Sequence, residues 1–235
     1  MTMPGARATM ERAREPIITI DGPAGAGKST VARLLASRLG YRLVDTGGMY
    51  RAVAWSVRQA GIAGDDAAAI ANHLRSLDLS VVDDRFFVNG RDVTGEIRTP
   101  EIGALTSQIT ALAPVRDKVT PLQRALAVRG GVVLEGRDTG TVVCPDAEVK
   151  FFLDASVETR ARRRQAELAA MGRTVPLEAV RTEIAVRDAQ DRTRALAPLR
   201  KADDAIAVDT SGRSADDVVD IMLDTVERYR CCTRS

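Results

Sequence analysis

The chain has 235 residues, of which 45% are hydrophobic and 28% are charged, and its 34 basic and 32 acidic side chains leave a net charge of +2. This balance argues against a dedicated nucleic-acid-binding or membrane-binding protein, and an aromatic content of 3% leaves few rings for stacking on bases. Three cysteines without metal-ligand spacing, and the absence of a long apolar run, predict a cytoplasmic protein with reduced thiols.

Short apolar runs alternate with amphipathic segments along most of the chain, which predicts an α/β fold with a parallel sheet covered by helices. Residues 1–15 lack this pattern and are predicted to form a disordered tail before a single domain over residues 16–230. The predicted strands of the main sheet are 17–20, 43–45, 132–134, 149–153 and 205–208. The predicted helices around it are 28–39, 49–59, 100–112, 115–128, 155–171, 176–196 and 214–229.

Residues from about 61 to 98 interrupt this alternation. A helix is predicted over 65–77, followed by strands over 79–82 and 85–88. The Asn89-Gly90 pair is typical of a hairpin turn. This part of the chain is therefore predicted to be a small, strand-rich insert.

The segment Gly22-Pro-Ala-Gly-Ala-Gly-Lys-Ser29 matches the phosphate-loop pattern G-x4-G-K-[ST] in full, between a predicted strand and a predicted helix. Glycines let the backbone approach an anion, and N–H groups at the helix start point at phosphate oxygens. We expect Lys28 to contact the β- and γ-phosphates of ATP and the Ser29 hydroxyl to bind Mg²⁺. The predicted ATP-binding residues are Gly22, Pro23, Ala24, Gly25, Ala26, Gly27, Lys28, Ser29 and Thr30.

This loop predicts nucleotide binding without identifying an acceptor. A GTP-operated switch also needs a guanine-reading Asn-Lys-x-Asp segment, which the chain lacks, and the match of Asp45–Gly48 to D-x-x-G is weak. Glu135 ends an apolar run and is the best candidate for an acid that orients Mg²⁺ through water. An ordinary strand end is the alternative interpretation of Glu135.

Two predicted helices carry charged residues at helical spacing. Those that share a face are Arg160, Arg163 and Arg164 in the first helix, and Arg187, Asp191 and Arg194 in the second. This pattern favours a mobile lid over about 155–195 that brings guanidinium groups onto a transferring phosphate and excludes water. A salt-bridged helix surface is the alternative. The predicted catalytic residues are Lys28, Arg137, Arg160 and Arg164.

Two further segments begin at strand ends, where ligands gather in open α/β sheets. They are Asp45–Arg51 and Glu135–Gly140. Within them, Arg51 and Arg137 are suited to clamp a phosphate, because a guanidinium binds two oxygens at once. A surface ion pair is the alternative for each arginine.

Several separated segments together resemble the bacterial cytidylate kinases, nucleoside monophosphate kinases that act on CMP and dCMP. The segments are 18–29, 45–51, 95–98, 135–143, 187–194 and 197–199, in the family's order over about residues 16–228. The resemblance implies a P-loop kinase with a central parallel sheet, a nucleotide-acceptor region with an insert over about 46–116, and a helical lid. It also implies ATP as donor, Mg²⁺ as cofactor and a monomer without membrane or nucleic-acid partners.

The resemblance further implies which residues hold the acceptor. Those matching the family's base-reading residues are Thr46, Arg116 and Arg194, and those matching its pentose contacts are Ser107, Arg187 and Asp191. Those matching the acceptor-phosphate site are Arg51 and Arg137, with Asp138 and Tyr50 beside them. Two positions depart from the family: Ala24 stands where serine is frequent, and Thr46 adds a methyl group to the usual serine. The second departure crowds the base pocket and bears on the preference for cytosine over uracil.

Two other functions stay open from the sequence. The first is a P-loop kinase that phosphorylates a different small metabolite. The second is a nucleotide-operated regulatory switch, which the arginine-bearing acceptor segments disfavour.

Overall fold

The structure is a computed structural model that describes residues 14–234, with side chains to residue 232. Its strands are β1 (Ile17–Asp21), β2 (Arg42–Asp45), β3 (Leu79–Val82), β4 (Arg85–Val88), β5 (Arg91–Asp92), β6 (Val132–Gly136), β7 (Val149–Asp154) and β8 (Ile206–Asp209). Its α-helices are α1 (Lys28–Leu39), α2 (Thr46–Gln59), α3 (Ala67–Arg75), α4 (Pro100–Ile109), α5 (Ala113–Ala127), α6 (Val157–Ala170), α7 (Leu177–Thr193) and α8 (Ala215–Arg234).

The main sheet has five parallel strands in the order β2-β6-β1-β7-β8, which confirms the predicted parallel α/β fold. In its register, Asp21 of β1 lies beside Gly136 of β6, and Asp45 of β2 lies beside Glu135. Because parallel strands all run the same way, the polar residues that end them meet at one edge of the sheet.

Successive residues of a strand face opposite sides of a sheet, and β1 follows this rule. Ile17 packs into a hydrophobic cluster that includes side chains from α2, α4, α5 and the insert. Ile18 and Ile20 pack into a second cluster with side chains of α1 and α8. The central strands are thus buried on both faces, as their continuous apolar runs predicted.

The predicted insert forms a separate antiparallel sheet in the order β3-β4-β5. Asn89 and Gly90 join β4 to β5 with φ angles of +49° and +76°, so the predicted hairpin turn is confirmed. The ring of Phe86 in β4 lies directly against Gly48 of α2. This contact connects the insert to a helix that begins at the edge of the main sheet.

Several predicted helix boundaries were wrong, including the end of α4, which lies at Ile109 instead of residue 112. Helix α2 begins at Thr46 instead of residue 49, because the Asp45 carboxylate accepts the Gly48 N–H at 2.7 Å and caps the helix. Helix α7 ends at Thr193 instead of residue 196. Residues Thr139–Val143 form a π-helical turn that the sequence did not predict.

Helices α6 and α7, which cover the predicted lid, pack against each other around a small apolar cluster of their own. Its buried members are Ala161, Leu168, Val180 and Ile184. A hairpin with an independent core is suited to move as a body relative to the main sheet.

Most of the predicted N-terminal tail, residues 1–13, lies outside the described residues. Its last two residues make defined contacts: Arg14 pairs with Glu148 at 2.6 Å, and Glu15 pairs with Arg230 at 2.9 Å. Over residues 14–234, no helix combines the length and the hydropathy that a membrane crossing requires.

Candidate active site

The phosphate loop joins β1 to α1 at the carboxyl edge of the main sheet. Gly22 has a φ of +150°, and a Cβ at this position would lie 2.0 Å from the carbonyl oxygen of Leu153 in β7. Gly27, at φ +87°, precedes Lys28, the first residue of α1. Because the first N–H groups of a helix have no acceptor within it, the loop and α1 together form an anion-binding element.

Lys28 is buried under this loop, with 6% of its surface exposed. Its Nζ donates to the carbonyl oxygen of Pro23 at 2.7 Å. Burial, reinforced by the nearby Arg137, holds the pKa of Lys28 well below its ordinary value. This neutral oxygen is its one hydrogen-bond acceptor among the described residues, and Glu135 and Asp21 supply nearby negative charge. A phosphate bound in the loop would give the buried ammonium group a direct anionic partner.

Ser29 and Glu135 bring two oxygen donors together beside the loop. The Ser29 hydroxyl donates to Oε2 of Glu135 at 2.8 Å. Burial and the neighbouring Asp45 raise the pKa of Glu135. Hydroxyl and carboxylate oxygens are ligands that Mg²⁺ prefers. No cluster of three or more His, Cys, Asp or Glu side chains suited to a metal occurs in residues 14–234, so phosphate oxygens and water would have to complete the coordination.

Thr46 lies at the start of α2, where its hydroxyl donates to the carbonyl oxygen of Glu135 at 2.6 Å. Its hydrogen is therefore already used by the backbone. A hydroxyl in this state can meet a ligand only as an acceptor. Thr46, which was predicted to read the base, is therefore available to a ligand as a hydrogen-bond acceptor and not as a donor.

Arg51 and Arg98 converge on one carboxylate. Arg98 Nη2 lies 3.0 Å from Oδ2 of Asp45, and Arg51 Nη1 lies 3.9 Å from the same oxygen. Burial lowers the pKa of Arg51. Arg98 was not among the predicted site residues, although it ends the Gly95–Arg98 segment that contributed to the family resemblance.

A second carboxylate, Asp138, lies between the two arginines predicted to read the base. It forms a buried ion pair with Arg116, and its Oδ1 lies 3.6 Å from Arg194 Nη2. The Arg116 guanidinium also lies 5.7 Å from the centre of the Tyr50 ring. The structure thus brings together four predicted site residues from four separate segments of the chain.

Arg137 and Asp191 form a third ion pair, at 2.9 Å between Nε and Oδ2. Although burial opposes it, Arg137 holds the pKa of Asp191 below its ordinary value. Burial and Arg137 lower the pKa of Arg187 to about 10, and the buried Arg187 Nε has no hydrogen-bond partner among the described residues. Positive charge therefore exceeds negative charge here, as expected of an anion site.

A cavity of about 520 Å³ opens between α4 and α7, a volume within the range of small-molecule sites. Its lining includes the predicted residues Ser107, Asp191 and Arg194. Gln108 and Gln190, which were not predicted, also line it. In the sequence, these two glutamines were indicated only by their positions next to the predicted residues Ser107 and Asp191.

The two lid arginines that were predicted to be catalytic occupy different surroundings. Arg164 is about one-third exposed and pairs with Glu167 at 3.1 Å. Arg160 is 2% exposed, and its guanidinium donates to the carbonyl oxygens of Ala24 and Ala155. Helical spacing placed them on one face, but only Arg160 contacts the phosphate loop, through backbone oxygen.

Comparison with known proteins finds the same family along nearly the whole chain. A family model described as cytidylate kinase matches residues 18–228. A cytidylate kinase of Geobacter sulfurreducens is 53% identical over 219 residues, which cover 91% of this chain and 94% of that protein. A cytidylate kinase of Geobacter sp. strain M21 is 51% identical over 215 residues, which cover 90% of this chain and 92% of that protein.

Proposed function

The chain belongs to the cytidylate kinase family, and from this premise we propose that it transfers the γ-phosphoryl group of ATP to the 5′-phosphate of CMP or dCMP. The observation that carries the proposal is the meeting of two anion-binding sets at one edge of the sheet. The first set is the phosphate loop with Lys28, and the second includes Arg51, Arg137 and Arg187.

An enzyme can catalyse phosphoryl transfer without forming a covalent bond to the substrate, because the rate depends mainly on positioning the two reactants and on neutralising the charge of the phosphates. The acceptor is a phosphate that is already an anion near neutral pH, so a general base is unnecessary. We propose that Arg51 and Arg137 hold this acceptor in line with the γ-phosphorus. Lys28 leaves the Pro23 carbonyl to contact the transferring group, and Arg164, the more exposed lid arginine, approaches it from the other side.

Ser29 and Glu135 are suited to hold Mg²⁺ beside the loop, because their oxygens lie 2.8 Å apart and are hard ligands. Bound Mg²⁺ would neutralise charge on the phosphates. Asp45, next to Glu135 in the sheet register, already holds Arg98 at 3.0 Å. We therefore propose Ser29 as the direct ligand and Glu135 as the acid that orients the ion.

Base selection follows from hydrogen-bond polarity. Cytosine presents an amino group at the position where uracil presents an oxygen. The Thr46 hydroxyl, which already donates to Glu135, can accept from the cytosine amino group and has no hydrogen left for uracil. Arg116 and Arg194 are left to donate to the ring acceptors. Because a mismatch leaves buried polar groups unpaired, we expect CMP to be strongly preferred to UMP.

We propose that the pentose occupies the cavity between α4 and α7, near Ser107 and Asp191. The family resemblance implies a monomer, and we propose that the monomer is the active form. A direct test is gel filtration with light scattering on the active enzyme. A stable dimer at assay concentrations would contradict it.

The function is tested by incubating the protein with ATP, Mg²⁺ and a panel of acceptors that includes CMP, dCMP, UMP, AMP and shikimate. We expect ADP in equal amounts with CDP or dCDP. Phosphorylation of a different acceptor at a higher kcat/KM would identify another small-metabolite kinase. Slow ATP hydrolysis without any phosphorylated acceptor would identify a nucleotide-operated switch.

A further inference from the structure

Arg160 connects three parts of the chain through one guanidinium group. Its Nη1 donates to the carbonyl oxygen of Ala24 in the phosphate loop at 3.1 Å, and its Nε donates to the carbonyl oxygen of Ala155 at 3.0 Å. Nη1 also lies 2.7 Å from Oδ2 of Asp188 in α7. The phosphate loop, the start of α6 and α7 thus meet at a single side chain.

The start of α6 also lies directly against the loop. A Cβ added at Gly25 would lie 3.0 Å from Cβ of Arg160 and 3.1 Å from its carbonyl oxygen. One turn of helix later, Arg163 donates to the Thr210 hydroxyl at 2.9 Å, and that hydroxyl donates to the carbonyl oxygen of Ala26 at 3.1 Å. The first two turns of α6 therefore hold two loop carbonyls, one directly through Arg160 and one through Arg163 and Thr210.

Asp188 is the other half of the ion pair, and its carboxylate is almost fully buried. Its Oδ1 has no hydrogen-bond partner in residues 14–234, so Arg160 is the main compensation for this buried charge. Breaking such a pair costs more than breaking an exposed one, because it leaves an uncompensated buried charge. The pair is therefore a rigid connection between the loop and α7.

Helix α7 carries acceptor-side residues next to this connection. Arg187 directly precedes Asp188, and Asp191, less than one turn further on, lines the cavity and pairs with Arg137. A shift of the loop that moved Ala24 would therefore act on Arg160 and Asp188, and through them on the helix that lines one side of the cavity.

We propose that Arg160 and Asp188 are a positioning pair that couples the donor site to the acceptor site, so that a nucleotide bound at the phosphate loop increases the affinity for the acceptor. Arg160 then acts through the Ala24 carbonyl and Asp188, and it does not touch the transferring phosphate. This inference rests on the proposed function, because it requires a donor in the loop and an acceptor in the cavity.

The test measures the dissociation constant of CMP by calorimetry with and without a saturating non-hydrolysable ATP analogue and Mg²⁺. For the unaltered protein we expect the analogue to tighten CMP binding at least fivefold, within the usual range of coupling between sites. In Asp188→Asn and in Arg160→Lys we expect this ratio to fall below twofold. CMP affinity without the analogue should stay within about threefold, since neither side chain contacts the acceptor.

The matched control is Arg162→Lys, on the same helix, because Arg162 is exposed and pairs only with Glu158 at 2.7 Å among the described residues. It should keep the ratio of the unaltered protein. The double variant Arg160→Lys/Asp188→Asn should lose no more coupling than either single variant, because the two residues act as one unit. Thermal unfolding of each variant, recorded in parallel, checks that it folds. Arg160→Lys is the conservative choice because it keeps a cation beside the buried Asp188 carboxylate.

A purely structural role would lower the unfolding temperature and leave the ratio unchanged, and that result would overturn the proposal. A ratio near one in the unaltered protein would overturn it as well. Failure of the unaltered protein to bind CMP contradicts the proposed function instead. The ratio is then measured with whichever acceptor the panel identifies, so the two proposals are judged separately.

Discussion

Around the phosphate loop, the positive charge of the basic side chains exceeds the negative charge of the acidic side chains beside them. Burial lowers the pKa of Lys28, Arg51 and Arg187, and each of the three also lies near Arg137. Cations held together out of water disfavour one another until an anion binds. This excess of positive charge fits the proposed binding of two phosphorylated ligands, one at the loop and one at the acceptor arginines.

Replacing Lys28 by alanine should remove the charge that meets the transferring phosphate. We expect kcat to fall by about 10²- to 10³-fold, the usual cost of losing one preorganised electrostatic contact, with a smaller change in the KM for CMP. A coupled spectrophotometric assay measures both. Lys118→Ala, in α5 outside the proposed site, is the control. Near-normal turnover of Lys28→Ala would contradict the mechanism.

The cysteines differ in reactivity for a physical reason. Burial raises the pKa of Cys144 to about 11, whereas Cys231 and Cys232 are exposed. At pH 8 the Cys144 thiol is then almost entirely protonated, and only the thiolate reacts with an alkylating reagent.

Iodoacetamide at pH 8 should therefore modify the two C-terminal cysteines and spare Cys144 in the folded protein. Because the thiolate fraction of Cys144 grows about tenfold per pH unit below its pKa, its labelling should speed up from pH 8 to pH 10. Peptide mass spectrometry measures the labelling of each site, and labelling in urea shows that all three thiols can react. Equal labelling rates at all three cysteines in the folded protein would contradict the conclusion that burial raises the pKa of Cys144.

At the scale of elements, the start of α2 joins the acceptor side to the insert. Thr46 and Arg51 lie on α2, and Gly48 between them has no side chain, which lets the Phe86 ring of the insert approach. A Cβ at position 48 would lie 2.2 Å from Cζ of Phe86. The glycine is required by this close packing between two elements.

Gly48→Ala should displace either the insert or the start of α2. We expect a loss of about 1–3 kcal/mol in the free energy of unfolding, as for other overpacked sites. We also expect the substitution to increase the KM for CMP by a larger factor than the KM for ATP. Denaturant unfolding and steady-state kinetics measure the two effects. Gly103→Ala in α4 is the control, since no described atom beyond the adjacent residues and the backbone of α4 itself lies within 4 Å of its added Cβ. Equal behaviour of the two variants would show that the contact with Phe86 is unimportant.

At the scale of the whole molecule, the proposed acceptor cavity lies between segments that are distant in sequence. Residues 104–111 form one wall and residues 190–194 form the other. The hairpin of α6 and α7, which is the predicted lid, contributes the second wall and has its own apolar cluster. The cavity therefore depends on how two separately packed parts of the chain meet.

CMP binding should consequently slow backbone hydrogen exchange in both α4 and the last turns of α7. The physical reason is that a ligand bridging the two walls suppresses local opening of each. Hydrogen exchange followed by mass spectrometry measures this, with UMP at the same concentration as the control. Protection confined to only one of the two helices would contradict the proposed location of the pentose.

The sequence by itself determined the features that local rules control. Apolar runs predicted the five strands of the parallel sheet, Asn89-Gly90 predicted a hairpin, and the loop from Gly22 to Thr30 followed from its glycines and lysine. These predictions succeed because each depends on residues close together in the chain. The family resemblance then supplied the expected base and pentose contacts, whereas Arg51 and Arg137 were already expected from their positions at strand ends.

Only the tertiary structure decided how the charged residues pair. Arg116 with Asp138, Arg137 with Asp191, and Arg160 with Asp188 join segments far apart in sequence. Helical spacing grouped Arg160 with Arg164, yet burial against the loop gave Arg160 a different set of partners. Spacing along a helix determines which side chains share a face, whereas the chain packed against that face determines what each of them contacts.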